Sequence, residues 1–132
     1  MESGPGQVDT HAAGLQARRE VLGEEHVERS LAGASPLREK WLEHTHRHAW
    51  GSTWPRPGLD RKTRSAVTLA MLISLRLEHE IALHARAAIG NGMTPDELLE
   101  LAVHASVYVG FPVAHVAFAT IESTLREMGA IE

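Results

Sequence analysis

Apolar residues recur along this chain at intervals of three and four, the spacing that lines one face of an α-helix, and no stretch sustains the alternation of a strand. The pattern predicts an all-α bundle of about six to seven helices, punctuated by glycine and proline. A first helix is expected from Ala13 to Leu22, ended by Gly23, and a second from Glu24 to Leu31, ended by Gly33. The third is expected from Pro36 to Trp50, with Leu37 and Leu42 as its apolar contacts. Gly51 to Leu59 reads as a loop, because Gly51, Pro55, Pro57 and Gly58 oppose regular helix. Asp60 is suited to cap a fourth helix running to about Arg76. That helix carries Val67, Leu69, Ala70, Met71, Leu72 and Ile73 around most of its circumference, so it is expected to be buried.

A fifth helix is expected from Glu78 to Ile89, closed by Gly90, Asn91 and Gly92. Thr94-Pro95-Asp96-Glu97 is a strong start signal for a sixth. Thr94 caps, Pro95 takes the first helical position, and Glu97 completes a capping box. This helix runs to about Val109 and stops at Gly110; Pro112 opens the last, which ends near Gly129. Residues 1–12, rich in glycine, proline and polar side chains, are expected to be a flexible tail, and 13–132 one domain.

Composition narrows the function classes. The chain has 132 residues, room for one modest core, so apolar faces beyond that core predict burial between subunits of a homo-oligomer. The net charge of −4 and the lack of a basic stripe interleaved with aromatics argue against nucleic acid as a partner. With no cysteine, disulfides, thiol catalysis and zinc–thiolate sites are excluded. The longest apolar stretch, around Met71–Leu75, is interrupted by Ser74 and Arg76 and is too short to span a bilayer. Met1 to Gly14 holds no apolar core of a secretory signal, so a cytoplasmic protein is expected.

Candidate chemistry centres on the fifth helix. Glu80 and His84 are four residues apart and share a face with Ala87 and Ala88, next to Leu77, which is expected to be buried. A partly desolvated carboxyl beside an imidazole is a natural proton-transfer pair near neutral pH. The plainer alternative is a solvated helix pair contributing about 0.2–0.5 kcal/mol. Glu100 and His104 repeat the spacing, but Asp96, Glu97 and Glu100 read as an exposed acidic face. His44 and His48 could share a metal, yet no HExxH pattern accompanies them, and the cluster with His46 reads as a solvated helix end. In the loop Trp54-Pro55-Arg56-Pro57-Gly58-Leu59-Asp60-Arg61, Arg56 precedes a helix start and is suited to grip a carboxylate.

These segments together resemble the 4-carboxymuconolactone decarboxylases. The likeness rests on Arg47-His48-Ala49-Trp50-Gly51, Trp54, Arg56 to Arg61 and Thr63-Arg64-Ser65. It continues in Glu80 to His84, Arg86-Ala87-Ala88, Asn91-Gly92, Thr94-Pro95, and Tyr108 followed by Gly110 and Pro112. Arg18-Arg19, Val21-Leu22-Gly23 and His26-Val27 match near the start. The resemblance implies the alkylhydroperoxidase D-like helical fold, usually a hexamer. It also implies conversion of 4-carboxymuconolactone to 3-oxoadipate enol-lactone and carbon dioxide, in the protocatechuate branch of the β-ketoadipate pathway.

The implied chemistry needs no cofactor and no metal. The carboxylate to be lost is vinylogous to the lactone carbonyl, so the ring takes up the electron pair itself. The protein must hold the side-chain carboxylate, donate to the developing enolate oxygen, and protonate the ring carbon beside the carbonyl. The resemblance assigns proton delivery to Glu80 and His84 and a substrate carboxylate to Arg56. Trp54, Tyr108 and His115 are expected to line the pocket.

The sequence departs from its relatives in places. Leu77 and Glu80 stand where the peroxidase relatives carry the cysteines of a CxxCxxxH motif, which excludes thiol redox activity. Ser52, Val109 and His115 replace a frequent acidic residue, Cys and Asn. Those changes leave open a diverged decarboxylase, isomerase or cyclase acting on another lactone or polyketide-like acid. A non-catalytic binding or scaffold protein is a third reading.

Overall fold

A computed structural model describes residues 9–132. Seven α-helices and one π-helical turn account for nearly all the regular structure among the described residues: α1 (Thr10–Leu22), α2 (Glu24–Ala32), α3 (Pro36–Thr45), the π-helical turn (His46–Gly51), α4 (Arg61–Leu75), α5 (Glu78–Gly90), α6 (Pro95–Val109) and α7 (Phe111–Glu127). Most of the expected tail, residues 1–8, lies outside the described residues. Helix α1 begins three residues earlier than the pattern predicts, because Asp9 accepts hydrogen bonds from the amides of His11 and Ala12 and caps it. The chain divides between Leu59 and Asp60 into two compact units.

In the first unit the expected third helix is split. Its first part is α-helical, and from His46 the chain widens into a π-helical turn that α1 packs against. Two glycines make the approach possible. A β-carbon on Gly14 would lie 1.7 Å from the His46 carbonyl oxygen, and one on Gly51 would lie 2.2 Å from the Thr10 carbonyl oxygen. The wide turn leaves carbonyls that an α-helix would have paired four residues on. Residues five positions on take them up instead. The Ser52 hydroxyl donates to the Arg47 carbonyl (2.7 Å), the Thr53 hydroxyl to His48 (3.0 Å), and the Trp54 amide to Ala49 (3.2 Å). Trp50 and Trp54 are buried and stacked, their rings 5.3 Å apart. Leu42 is buried as expected, but Leu37 is 79 % and Trp41 58 % exposed, because α3 turns only one narrow stripe inward.

The second unit, α4 to α7, holds the main core. Leu69, Ile73, Ile81, Leu98 and Ile121 are almost fully buried there. Asp60 and Thr94 cap α4 and α6 as predicted, and the Thr94–Glu97 capping box is complete. The Asn91 amide donates to the buried Ser65 hydroxyl at 2.9 Å, tying the end of α5 to α4. The expected burial of α4 on all sides is corrected. Only Ser65, Leu69 and Ile73 form its buried stripe, while Val67, Met71 and Leu75 are exposed. Its apolar circumference exceeds what α5, α6 and α7 of one chain can cover.

Candidate active site

His84 sits on the inward face of α5, in register with Ile81, Ala85 and Ala88, and is 8 % exposed. Glu80, one turn earlier, is half-exposed, and its Oε2 lies 3.9 Å from His84 Nε2. Helix spacing alone brings the two together. The distance is that of an ion pair and longer than a hydrogen bond, so proton transfer between them would need a small approach or one bridging water. Glu78 and Glu80 both lie in the first turn of α5, where acidic side chains complement the helix dipole. Leu77, expected to be buried beside the pair, is 45 % exposed, since it caps α5 from outside the core.

The other candidates are distributed over the fold. Trp54 is buried in the first unit against Trp50, and Arg56 is exposed in the turn that follows. The start of α4 is partly occupied by its own cap, since Asp60 accepts from the Thr63 amide at 2.7 Å. That hydrogen bond holds the Asp60 carboxyl below its ordinary value. Tyr108 is 77 % exposed on α6, with the His104 ring 5.2 Å away. His115 lies on the exposed side of α7, where it borders an open apolar groove walled by Val103, Val107 and Phe118. Among the described residues no three His, Asp or Glu side chains gather in a metal-binding arrangement, and the His44 and His48 rings simply lie 4.6 Å apart.

One polar cluster has no counterpart in the linear pattern. His46, read as part of a solvated helix end, is 2 % exposed, and Arg18 of α1 is 9 % exposed beside it. Arg18 donates to His46 Nε2 at 3.2 Å and to the Ser30 hydroxyl at 2.9 Å. A guanidinium can only donate, so Nε2 must accept and the imidazole is neutral with its proton on Nδ1. Burial, then the Arg18, His11 and Arg19 charges, push the His46 pKa down to about 4, and burial lowers that of Arg18. His46 Nδ1 has no hydrogen-bond partner among the described residues. Spacing does not separate the buried Arg18 from Arg19, which pairs with Glu28 at the surface. Only the glycines at positions 14 and 51, which let α1 close on the π-helical turn, hint at it.

An all-helical chain without cysteine, whose second unit holds a carboxyl beside a buried imidazole, has the equipment for proton transfer rather than thiol redox chemistry. The model of the carboxymuconolactone decarboxylase family matches residues 39–123, and the chain belongs to that family. It is 45 % identical over 116 residues to a 4-carboxymuconolactone decarboxylase of Acinetobacter baylyi, covering 88 % of this chain and 87 % of that protein. It is 42 % identical over 115 residues to a nitrosuccinic acid decarboxylase of Metarhizium robertsii, covering 87 % and 80 % respectively.

Proposed function

We propose that this protein is a cofactor-independent carboxy-lyase that converts 4-carboxymuconolactone to 3-oxoadipate enol-lactone and carbon dioxide. The observation that carries the reading is the near full-length likeness to the Acinetobacter baylyi decarboxylase, joined to a buried imidazole with a carboxylate in reach. As the bond to the leaving carboxylate breaks, its electron pair passes through the ring double bond onto the lactone carbonyl. His84 delivers the proton that the ring carbon then takes up, and Glu80, half in solvent, reloads it. The resemblance gives Arg56 the acetate carboxylate and gives Trp54, Tyr108 and His115 places around the substrate.

The proposed substrate is a small molecule met in the cytoplasm; separately, no described helix is long and apolar enough to cross a membrane. Exposed Val103, Val107 and Phe111 support burial of this face between subunits; the assembly proposed, from the family resemblance, is a homohexamer that encloses Tyr108 and His115. Sedimentation of the 14.4 kDa chain tests the subunit number.

The deciding experiment incubates the purified protein with freshly generated 4-carboxymuconolactone, without added metal or nucleotide, and follows carbon dioxide and enol-lactone. Nitrosuccinate serves as the competing substrate. Turnover of nitrosuccinate alone, or of neither acid, refutes the assignment. Glu80→Gln and His84→Ala are each expected to lower kcat by about 100-fold or more, the usual weight of a positioned acid or base. Near wild-type turnover in both folded variants removes the pair from the mechanism.

A further inference from the structure

Helix α4 ends in a Schellman turn. The Leu77 amide donates to the Leu72 carbonyl and the Arg76 amide to the Ile73 carbonyl, both at 3.1 Å. This closure needs one residue in the left-handed region, and glycine is the usual occupant because a β-carbon is strained there. Here the occupant is Arg76, at φ 59° and ψ 40°, the one non-glycine residue with positive φ among the described residues. Arginine thus sits where glycine would make a more stable turn, which points to a use for its side chain. Its guanidinium makes no hydrogen bond or ion pair among the described residues.

That side chain borders a half-open cavity of about 320 Å³ within the second unit. Ile73, Ile81, Val113 and Ala117 make its walls apolar, and Glu78 stands on the rim with Arg76. The volume is at the lower end of small-molecule pockets, roughly 300–1,000 Å³. An apolar hollow with one available guanidinium at its edge suits an anion with a greasy body, since Arg grips a carboxylate with two parallel hydrogen bonds. The neighbouring Glu78 carboxylate repels a second negative charge. We infer that this cavity binds a small monocarboxylate with an apolar body, its carboxylate on Arg76 and its body between α4, α5 and α7. The site does not involve Glu80, His84 or Arg56, and it discriminates against dicarboxylates such as the substrate proposed above.

The probe is benzoate, titrated into the full-length protein by calorimetry and by ligand-observed NMR. Toluene serves as the uncharged contrast and phthalate as the diacid. Benzoate is expected to bind in the millimolar range, with phthalate about tenfold weaker from like-charge repulsion. Arg76→Gly is expected to raise Tm, because it relieves the left-handed strain, and to weaken benzoate at least about tenfold by removing the bidentate partner. Arg76→Asn, which tolerates the same backbone without the charge, should weaken benzoate equally and serves if the glycine variant fails to fold. Glu78→Gln should bring phthalate close to benzoate. The inference is overturned if wild type does not bind benzoate, if toluene binds as well, or if both Arg76 variants keep wild-type affinity. Loss of binding in Glu80→Gln with retention in Arg76→Gly also overturns it, by placing benzoate at the proposed catalytic pair.

Discussion

Lowering the pH should destabilise the first unit through a single buried imidazole. His46 is neutral in the folded chain, its pKa pushed down to about 4 from an ordinary 6.5. Above pH 6.5 it is neutral in both states and the pH has no leverage. As the pH falls through 6.5 the unfolded chain takes up the proton first, so the unfolded state is favoured until the folded-state value near 4 is passed. Stability from this group is therefore fully present at neutral pH and lost on acidification. The loss reaches about 2 kcal/mol at pH 5 and about 3 kcal/mol at pH 4, since a tenfold difference in proton affinity between the two states is worth about 1.4 kcal/mol. No neighbour offsets it, because the charged groups acting on His46 are Arg18, His11 and Arg19, all of them basic. Trp41, Trp50 and Trp54, the three tryptophans of the chain, all lie in this unit, so urea titrations followed by tryptophan fluorescence report on it directly. His46→Gln keeps an acceptor for Arg18 and cannot titrate. The variant should lose the slope that the wild type shows between pH 4 and 6.5, although it is less stable at pH 7. Equal slopes in the two proteins, or a His46 imidazole titrating near 6.5 by NMR, would refute the reasoning.

Three further substitutions probe the packing. Gly14→Ala should cost about 3 kcal/mol or more, at the upper end for overpacking, because its methyl would collide with the His46 carbonyl; a stable variant with unchanged tryptophan emission would contradict the close approach. Leu98→Ala removes a side chain of 0 % exposure from the second unit and should cost about 2–5 kcal/mol in denaturant midpoint experiments, a smaller loss meaning that the site collapses. Thr94→Ala breaks the capping box of α6 and should cost about 1 kcal/mol by calorimetry, with no change there showing that Pro95 alone sets the helix start.

The helical pattern was legible because it is local. Asp60, Thr94, Pro95 and Gly110 mark helix ends through chemistry contained within a few residues, and each does so in the structure. The π-helical turn was not legible. Residues 46–51 have ordinary helical composition, and what widens the backbone there is the set of partners supplied by Ser52, Thr53 and Trp54 five positions later. The sequence shows Ser52 only as a departure from the decarboxylase pattern, whereas the structure gives it a backbone carbonyl to satisfy. The burial expected for α4 failed for a different reason. An apolar circumference states what a helix can bury, and a single chain supplies neighbours for only one stripe of it.

The same distinction between local and tertiary information separates the two histidine sites. Glu80 and His84 could be paired from spacing alone, since four residues on a helix always place two side chains on one face. Whether such a pair does chemistry depends on burial, and the Ile81–Ala85–Ala88 face beneath His84 supplies it. Arg18 and His46 are 28 residues apart and meet only because two glycines let their helices close. No periodicity encodes that meeting. Arg18 and His46 also behave oppositely to a catalytic pair. Burial first, and then the Arg18 charge beside it, lower the affinity of His46 for protons and favour a neutral imidazole at neutral pH, whereas a carboxylate beside an imidazole favours the charged form. Burial of a histidine is thus not evidence of catalysis in this fold. The charge beside it separates the two sites: Glu80 stands next to His84, for which proton delivery is proposed, and Arg18 next to His46, which burial and that charge make the acid-sensitive joint between α1 and the π-helical turn.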